Sequence, residues 1–171
     1  KLAGLEDRFR QSEVMDDPGL GADRFIGSLV GLRRINTITG SARTLWPALR
    51  CHISPTDDKP LRVLDVASGA GDTAIALWKR ARASKLPLEI SGCDINSHAV
   101  EFAEDAAHRA SAQVQFFQHD ILNDPFPEDY DFVISSLFLH HLNEQNAKTF
   151  LSAAATHARQ GILIHDLNRG K

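Results

Sequence analysis

Acidic and histidine side chains follow five short apolar runs along the chain. They are Asp65, Asp94, His119 with Asp120, His140 with His141, and His165 with Asp166. In an open α/β sheet, ligands bind at the edge formed by the carboxyl ends of the strands. Carboxylates there can accept hydrogen bonds from hydroxyl groups, and histidines can take up protons near neutral pH. We therefore expect these side chains to line one binding site.

The segment LRVLDVASGAGDTAIAL, residues 61–77, joins the first apolar run to a segment with helical spacing. Gly69 and Gly71 allow close approach of a ligand to the backbone, beside the free N–H groups that begin a helix. Asp65 lies inside the apolar run, where a carboxylate needs a partner to offset its desolvation. A tight turn without a ligand remains an alternative for the glycines, and an ion pair or a turn cap for Asp65.

Asp94 and Asp120 extend this pattern to the second and third runs. A carboxylate at the end of the second strand can accept hydrogen bonds from two ribose hydroxyls, as in dinucleotide-binding folds. Asp120 is followed by Ile121, a pair that suits the exocyclic amine and the ring face of a purine. The alternatives are a helix cap for Asp94 and an ordinary loop position for Asp120.

Short aliphatic runs alternate with segments of helical periodicity from residue 61 to residue 166. This alternation is typical of βαβ units, and it predicts an α/β fold with a Rossmann-like, mostly parallel sheet flanked by helices. Strands are predicted at 61–66, 88–93, 113–118, 131–135 and 161–165, and helices at 72–83, 97–110 and 144–158. The Pro-rich segment 123–130 leaves no room for a long helix between the third and fourth strands.

The composition limits the class of protein. The 171 residues, 43% of them hydrophobic, are enough for one core. The net charge of −3 gives no field that attracts nucleic acid. The sequence contains no run of 18 uncharged apolar residues, so it predicts no membrane-spanning helix. Cys51 and Cys93 form no CxxC pattern and fit a reducing compartment. We expect a cytoplasmic protein.

Four motifs in this order, VLDVASGAGD, GCDIN, QHDI and DFVISSLFLHHL, resemble those of class I S-adenosylmethionine-dependent methyltransferases. The similarity covers about residues 61–167 and is strongest to the type 11 and ubiquinone/menaquinone-biosynthesis-like small-molecule methyltransferases. It implies S-adenosyl-L-methionine as cofactor and methyl transfer to a small-molecule acceptor. It also implies a cofactor-binding core at residues 61–171, preceded by a helical lid or cap at residues 1–60.

For the methionine part of the cofactor, the resemblance implies a role for the first strand and its loop. Gly69 and Gly71, together with Ala67 and Ser68, would pass under the methionine, and Asp65 would orient its ammonium group. The family usually has glycine at the position of Ala67. Its members also continue beyond the fifth strand with a helix and two antiparallel strands, so we expect a core curtailed or trimmed at its C-terminus.

For the adenosine part, the resemblance implies roles at the ends of the second and third strands. Asp94 would hold both ribose hydroxyls, and Ile95 would lie against the adenine. Asp120 would accept a hydrogen bond from the adenine amino group, and the backbone N–H of Ile121 would reach the ring.

At the end of the fourth strand, Ser136 and Leu137 would border the sulfonium and the acceptor. A base is useful where the acceptor is a hydroxyl or an acidic carbon, and His140 is our candidate in preference to His141, with a helix-start or packing role as the alternative. A metal-dependent branch of the family has an aspartate where Ser135 and Ser136 stand, so we predict no metal.

The N-terminal segment contains two predicted amphipathic helices, around 25–33 and 42–53, separated by a turn at Gly40. As a lid, this segment would bring Arg34 to the cofactor carboxylate, whereas a solvated basic face is the alternative. The apolar stripe of these helices could equally form the contact of a homodimer.

Two other functions remain open. An NAD-dependent oxidoreductase would share the glycine loop and the ribose carboxylate, but Ala74 occupies the third glycine position of GxGxxG and Asp120 would have no role. A methyltransferase-like module that binds its ligand without catalysis is the second alternative.

Overall fold

One parallel β-sheet forms the centre of the protein. The computed structural model describes residues 40–167. Its five strands are β1 (Leu61–Val66), β2 (Leu88–Asp94), β3 (Gln115–Gln118), β4 (Tyr130–Ser136) and β5 (Ala158–His165). They pair in the order β3-β2-β1-β4-β5, and every neighbouring pair is parallel. The predicted α/β fold with a Rossmann-like parallel sheet is confirmed.

Within residues 40–167, four helices flank the sheet. They are α1 (Ser41–Arg50), α2 (Asp72–Ala83), α3 (Ser97–Arg109) and α4 (Glu144–His157), and a short 3₁₀ turn spans Leu139–His141. Asparagine side chains cap two of the helices: Asn96 accepts from the N–H of His98, and Asn143 from the N–H of Asn146. Helix α4 runs directly into β5, so the fifth strand begins earlier than predicted.

The sheet separates two apolar layers, because its central strands carry large aliphatic residues on both faces. One face packs against α1, α2 and α3 through Leu45, Leu49, Val63, Leu77, Ile90, Ala103 and Phe132. The other face packs against α4 and the loop regions beside it through Leu64, Val66, Ile121, Val133, Leu142 and Phe150. No long helix occurs between β3 and β4, as the Pro-rich segment predicts.

Helix α1 belongs to the core. Its residues Leu45 and Leu49, together with Ile53 beyond it, are buried at 4%, 0% and 4% exposure. The hydroxyl of Ser41 lies 2.9 Å from Nδ1 of His165 at the end of β5. The helix therefore covers one face of the sheet.

This packing changes the interpretation of the N-terminal segment. From residue 41 to residue 53, the apolar stripe predicted to serve a lid or a homodimer is covered by the protein's own core. The first predicted helix and Arg34 lie outside the described residues. Among residues 40–167, no helix has the length and apolar content needed to cross a bilayer.

Candidate functional site

The strand order reverses between β1 and β4, and a cavity of about 300 Å³ opens at the carboxyl ends of the strands there. Ligands of open α/β sheets bind at such a reversal. The predicted site residues that line the cavity are Asp65, Ala67, Ser68, Gly69, Asp94, Ile95, Asp120, Ile121, Ser136 and Leu137. Gly71 and His140 do not line it. The ends of four strands thus contribute to one site.

The loop after β1 owes its shape to three left-handed residues. Ala67, Gly69 and Gly71 have φ angles of 55°, 51° and 76°. Glycine adopts such angles readily, whereas a residue with a Cβ atom is strained by about 1–2 kcal/mol. The N–H of Ser68 donates to the carbonyl of Cys93 at 3.0 Å and fixes the loop to β2. The sharp turn keeps the loop backbone at the wall of the cavity.

Gly69 and Gly71 have different surroundings. A Cβ atom on Gly69 would meet no other atom within 4 Å. A Cβ atom on Gly71 would lie 2.6 Å from Cζ of Phe116 and 2.9 Å from Cβ of Ala103. Gly69 therefore borders open space at the site, whereas Gly71 allows α2 to begin close to α3 and β3.

Asp65 is a buried carboxyl group at the inner wall of the cavity. It is 1% exposed, and by hydrogen-bond geometry neither of its oxygens has a partner among the described residues. Burial raises its pKa to about 8, the nearby carboxylates of Asp94 and Asp72 add to this rise, and the backbone N–H of Ala74 opposes it. An orphaned buried acid is costly, so this position favours a ligand that brings a cationic donor.

Asp94 links the glycine loop to the end of β2. Its Oδ2 accepts from the N–H of Gly69 at 2.9 Å, and its Oδ1 accepts from the N–H of Asn96 at 3.0 Å. Burial raises the pKa of Asp94, and these N–H groups lower it. A carboxylate has about four acceptor positions, so each oxygen retains capacity for one hydroxyl donor.

Asp120 lines the cavity and also accepts hydrogen bonds from the residues of the turn that follows it. Its Oδ1 accepts from the N–H groups of Leu122 and Asn123 at 3.0 and 3.2 Å, and its Oδ2 accepts from Nδ2 of Asn123 at 2.8 Å. The Asn123 side chain contributes most to lowering the pKa of Asp120, which keeps this group ionised. The neighbouring Ile121 is buried, whereas Ile95 is 62% exposed. Asp120 retains capacity to accept from a ligand amine.

The end of β4 holds polar and apolar groups at the other side of the cavity. Ser135 is buried and donates to the carbonyl of Val66 at 3.1 Å. The hydroxyl of Ser136 is buried and has no partner within residues 40–167. Leu137 has a φ of 55°, and its N–H donates to the carbonyl of His165 at 2.8 Å. The chain therefore turns sharply here and stays attached to β5.

The two adjacent histidines after β4 have different positions. His141 lines the cavity, and the ring of His140 contacts Asp166 instead, with 2.6 Å between Nδ1 and Oδ1. The backbone N–H of His140 donates to the other oxygen of Asp166 at 3.0 Å. Asp166 thus orients His140, not His165, whose ring contacts Ser41.

Several cavity residues were missed from the sequence. They are Val66, Ala70, Thr73, Cys93, Asn96, Ala99, Leu122 and Phe138. His119 and His141, which were among the side chains expected at one site, also line the cavity. His119 directly precedes Asp120 in the sequence, and its buried Nε2 has no hydrogen-bond partner in the described part of the chain.

Burial raises the pKa of Cys93 to about 12, so its thiol stays protonated and is a poor nucleophile. Within residues 40–167, no three His, Cys, Asp or Glu side chains are grouped to hold a metal ion.

Comparison with curated proteins identifies relatives. The ubiquinone/menaquinone biosynthesis C-methyltransferase UbiE of Rhodopseudomonas palustris is 35% identical over 99 residues, which are 55% of this chain and 38% of that protein. The ribosomal RNA small subunit methyltransferase C of Vibrio vulnificus is 34% identical over 107 residues, which are 60% of this chain and 30% of that protein. The chain covers less than half the length of these relatives.

Comparison with solved structures supports the fold. The magnesium protoporphyrin IX methyltransferase ChlM of Synechocystis PCC 6803, determined with bound SAM, superposes with a TM-score of 0.58 at 19% identity. The match covers 85% of this chain and 63% of that one. A sequence model of the methyltransferase domain matches residues 63–161, more than half of the chain, and this range runs from β1 into β5. The resemblance inferred from the motifs is thereby confirmed, and the chain belongs to the methyltransferase-domain family.

Proposed function

We propose that this protein is an S-adenosylmethionine-dependent methyltransferase that acts on a small-molecule acceptor. The observation that carries the proposal is the buried Asp65 carboxyl, which by hydrogen-bond geometry has no partner among residues 40–167 and lines the same cavity as Asp94. The first group suits an ammonium, and the second has free acceptor capacity for two hydroxyls. S-adenosylmethionine combines these two features in one molecule.

The lining residues fit the cofactor from end to end. Asp65 would hold the methionine ammonium above the loop of Ala67, Ser68 and Gly69, and Asp94 would accept from the ribose hydroxyls. The adenine would lie between Ile95 and Ile121, with its amine toward Asp120. His119, whose buried Nε2 has no hydrogen-bond partner in the described part of the chain, supplies a further polar group at this end. Ser136 and Leu137 would border the sulfonium.

Methyl transfer makes limited demands on the protein. When bound, S-adenosylmethionine supplies a methyl carbon activated by its bond to a sulfonium sulfur. The residues of this chain have to position the acceptor in line with that bond and exclude water. Leu137 and Phe138 provide an apolar wall at the β4 end of the cavity. The protonated thiol of Cys93 does not compete as a nucleophile.

The charge of the site supports a small acceptor over a nucleic acid. The cavity lining contains Asp65, Asp94 and Asp120 and, in the part of the chain described, neither Lys nor Arg. Phosphate backbones bind to clusters of Lys and Arg, and the chain as a whole carries a net charge of −3. The relatives act on different acceptors according to their names, so the acidic lining is the stronger guide.

Two free cysteines, the exposed Cys51 and the buried Cys93, support a cytoplasmic location. The subunit count in a native mass spectrum tests whether the chain forms the homodimer that its N-terminal apolar stripe could support.

Isothermal titration calorimetry tests the proposed function. S-adenosylhomocysteine, the product of methyl transfer, should bind saturably at one site per chain. Asp94→Ala should weaken this binding about 10- to 100-fold, since hydrogen bonds to a charged group contribute roughly 1.5–3 kcal/mol. His108→Gln, on the exposed surface of α3, is the matched control and should bind as the wild type does.

Binding of NAD in place of S-adenosylhomocysteine would contradict the proposal and favour the oxidoreductase. If the protein binds S-adenosylhomocysteine and no class of acceptor is methylated, the non-catalytic module is the better description.

A further inference from the structure

We propose that His141 takes the proton from the acceptor, and that Asp166 and His140 are positioning residues that hold His141 at the site. The inference rests on the proposed function and deepens it, because it assigns the proton-transfer step to one side chain. It also defines the acceptor class: a hydroxyl, or a carbon acid, whose proton must leave during methyl transfer.

The order of the strands locates the reacting end of the site. Neighbouring strands lie about 4.8 Å apart, so the ends of β2, β1 and β4 form consecutive steps along the cavity. With the ribose at Asp94 on β2 and the methionine at the loop after β1, the next step is the end of β4. His141 lines the cavity on this side, close in sequence to Leu137 and Phe138.

Three contacts attach the turn that carries His141 to the end of β5 and to Asp166 just after it. The N–H of Leu137 donates to the carbonyl of His165 at 2.8 Å. Asp166 accepts from the backbone N–H of His140 at 3.0 Å and contacts the His140 ring at 2.6 Å. The side chains of His140 and Asp166 are only 13% and 14% exposed. These largely buried contacts determine the position of the 3₁₀ turn, and therefore the position of His141 at its end.

The two imidazole rings are in contact. The centroids of His140 and His141 are 4.1 Å apart, with 38° between the ring planes. The carboxylate of Asp166 contacts Nδ1 of His140, so its negative charge lies beside the ring that His141 contacts. A negative charge at this place attracts the positive charge that forms on His141 when it takes the proton.

The proton transfer balances in one step. The acceptor's electron pair forms the bond to the methyl carbon, the methyl–sulfur bond breaks with its pair passing to sulfur, and the acceptor's proton goes to a ring nitrogen of His141. Water removes that proton from His141 after the product leaves. General-base catalysis of this kind contributes about 10²- to 10⁴-fold to a rate.

Imidazole NMR of the full chain tests the inference without a known acceptor. Sinefungin carries a charged amine at the position of the transferred methyl group, whereas S-adenosylhomocysteine carries nothing there. The His141 resonances, assigned by their loss in His141→Gln, should differ between the two complexes. Those of His108, on the exposed face of α3, should be the same in both.

Two variants test the positioning pair. In Asp166→Ala, the His141 difference between the two complexes should fall by half or more. Asp166→Asn keeps an oxygen acceptor for the backbone N–H of His140, so it should retain more of the difference and serves if the alanine variant is unstable. Unchanged His141 differences in both folded variants would overturn the role of Asp166.

The outcomes separate the two proposals. If both ligands bind and the His141 resonances are identical in the two complexes, His141 does not face the methyl position and the inference is wrong. If neither ligand binds, the proposed function fails and the inference fails with it. On any hydroxyl acceptor that the wild type methylates, His141→Gln should lower kcat at least about 100-fold, and His108→Gln should leave kcat unchanged.

Discussion

Replacing Asp65 by asparagine removes a buried ionisable group and leaves a side chain of nearly the same shape. In the folded protein, burial raises the pKa of Asp65 to about 8. In the unfolded chain, an aspartate ionises near pH 3.9. Between these two values the unfolded chain has released a proton that the folded protein still holds. Raising the pH through this range therefore favours unfolding, and the ionisation of Asp65 destabilises the protein.

The size of the effect follows from the difference between the two pKa values. Each pKa unit corresponds to about 1.36 kcal/mol, so a difference of roughly four units approaches ~5 kcal/mol when the pH reaches 8. At pH 4 the contribution is only about 0.5 kcal/mol, because the folded protein holds the proton and about half of the unfolded chains have released it. Asp65→Asn lacks this titration. Its free energy of unfolding should lie within about 0.5 kcal/mol of that of the wild type near pH 4 and exceed it by about 5 kcal/mol near pH 8.

Urea unfolding at several pH values between 4 and 8, followed by circular dichroism, measures this difference. Comparison of the two proteins at each pH cancels the titration of the other carboxyl groups. The same variant should bind S-adenosylhomocysteine at least about 10-fold more weakly, because the ammonium loses its charged partner. If Asp65→Asn followed the wild type in parallel across this pH range, or were less stable at pH 8, the described burial of Asp65 would be wrong.

Four further substitutions test the loop and the core by urea unfolding. Gly71→Ala should lower the free energy of unfolding by about 2–5 kcal/mol, because the residue has a left-handed φ and its Cβ atom would overlap Phe116. Gly69→Ala should lower it by only about 1 kcal/mol. Equal losses in the two variants would contradict the packing at Gly71. Ala67→Gly should be slightly stabilising, by about 0.5 kcal/mol, since relief of the strained φ exceeds the added entropy of the unfolded chain; a clear loss would argue against the turn. Phe150→Ala should cost about 3–5 kcal/mol because the ring is fully buried between α4 and the sheet, and a loss below 1 kcal/mol would show that this layer is loosely packed.

The fold could be predicted from the sequence because its signals are local. Aliphatic runs and helical periodicity alternate, and the rule that ligands bind at strand ends brings Asp65, Asp94 and Asp120 to one cavity. The differences arise where tertiary packing decides. Nothing in the order of residues distinguishes His140 from His141, since the choice depends on a 3₁₀ turn and on Asp166.

Tertiary packing also decides the roles of the two loop glycines and of helix α1. Gly69 and Gly71 share a left-handed backbone, but only the neighbouring Phe116 and Ala103 show that Gly71 serves packing. The stripe of α1 predicts an apolar face and does not identify what covers it. In the structure, the sheet and α2 pack against this stripe.

A crystal structure of the full chain with S-adenosylhomocysteine tests the central claim most directly. The account predicts that both ribose hydroxyls lie within 2.7–3.2 Å of the Asp94 carboxylate, at ordinary hydrogen-bond distance. It also predicts the ammonium at Asp65 and the sulfur facing the β4 end, toward Leu137 and His141. Adenosine bound away from Asp94, or a sulfur directed away from the end of β4, would contradict it.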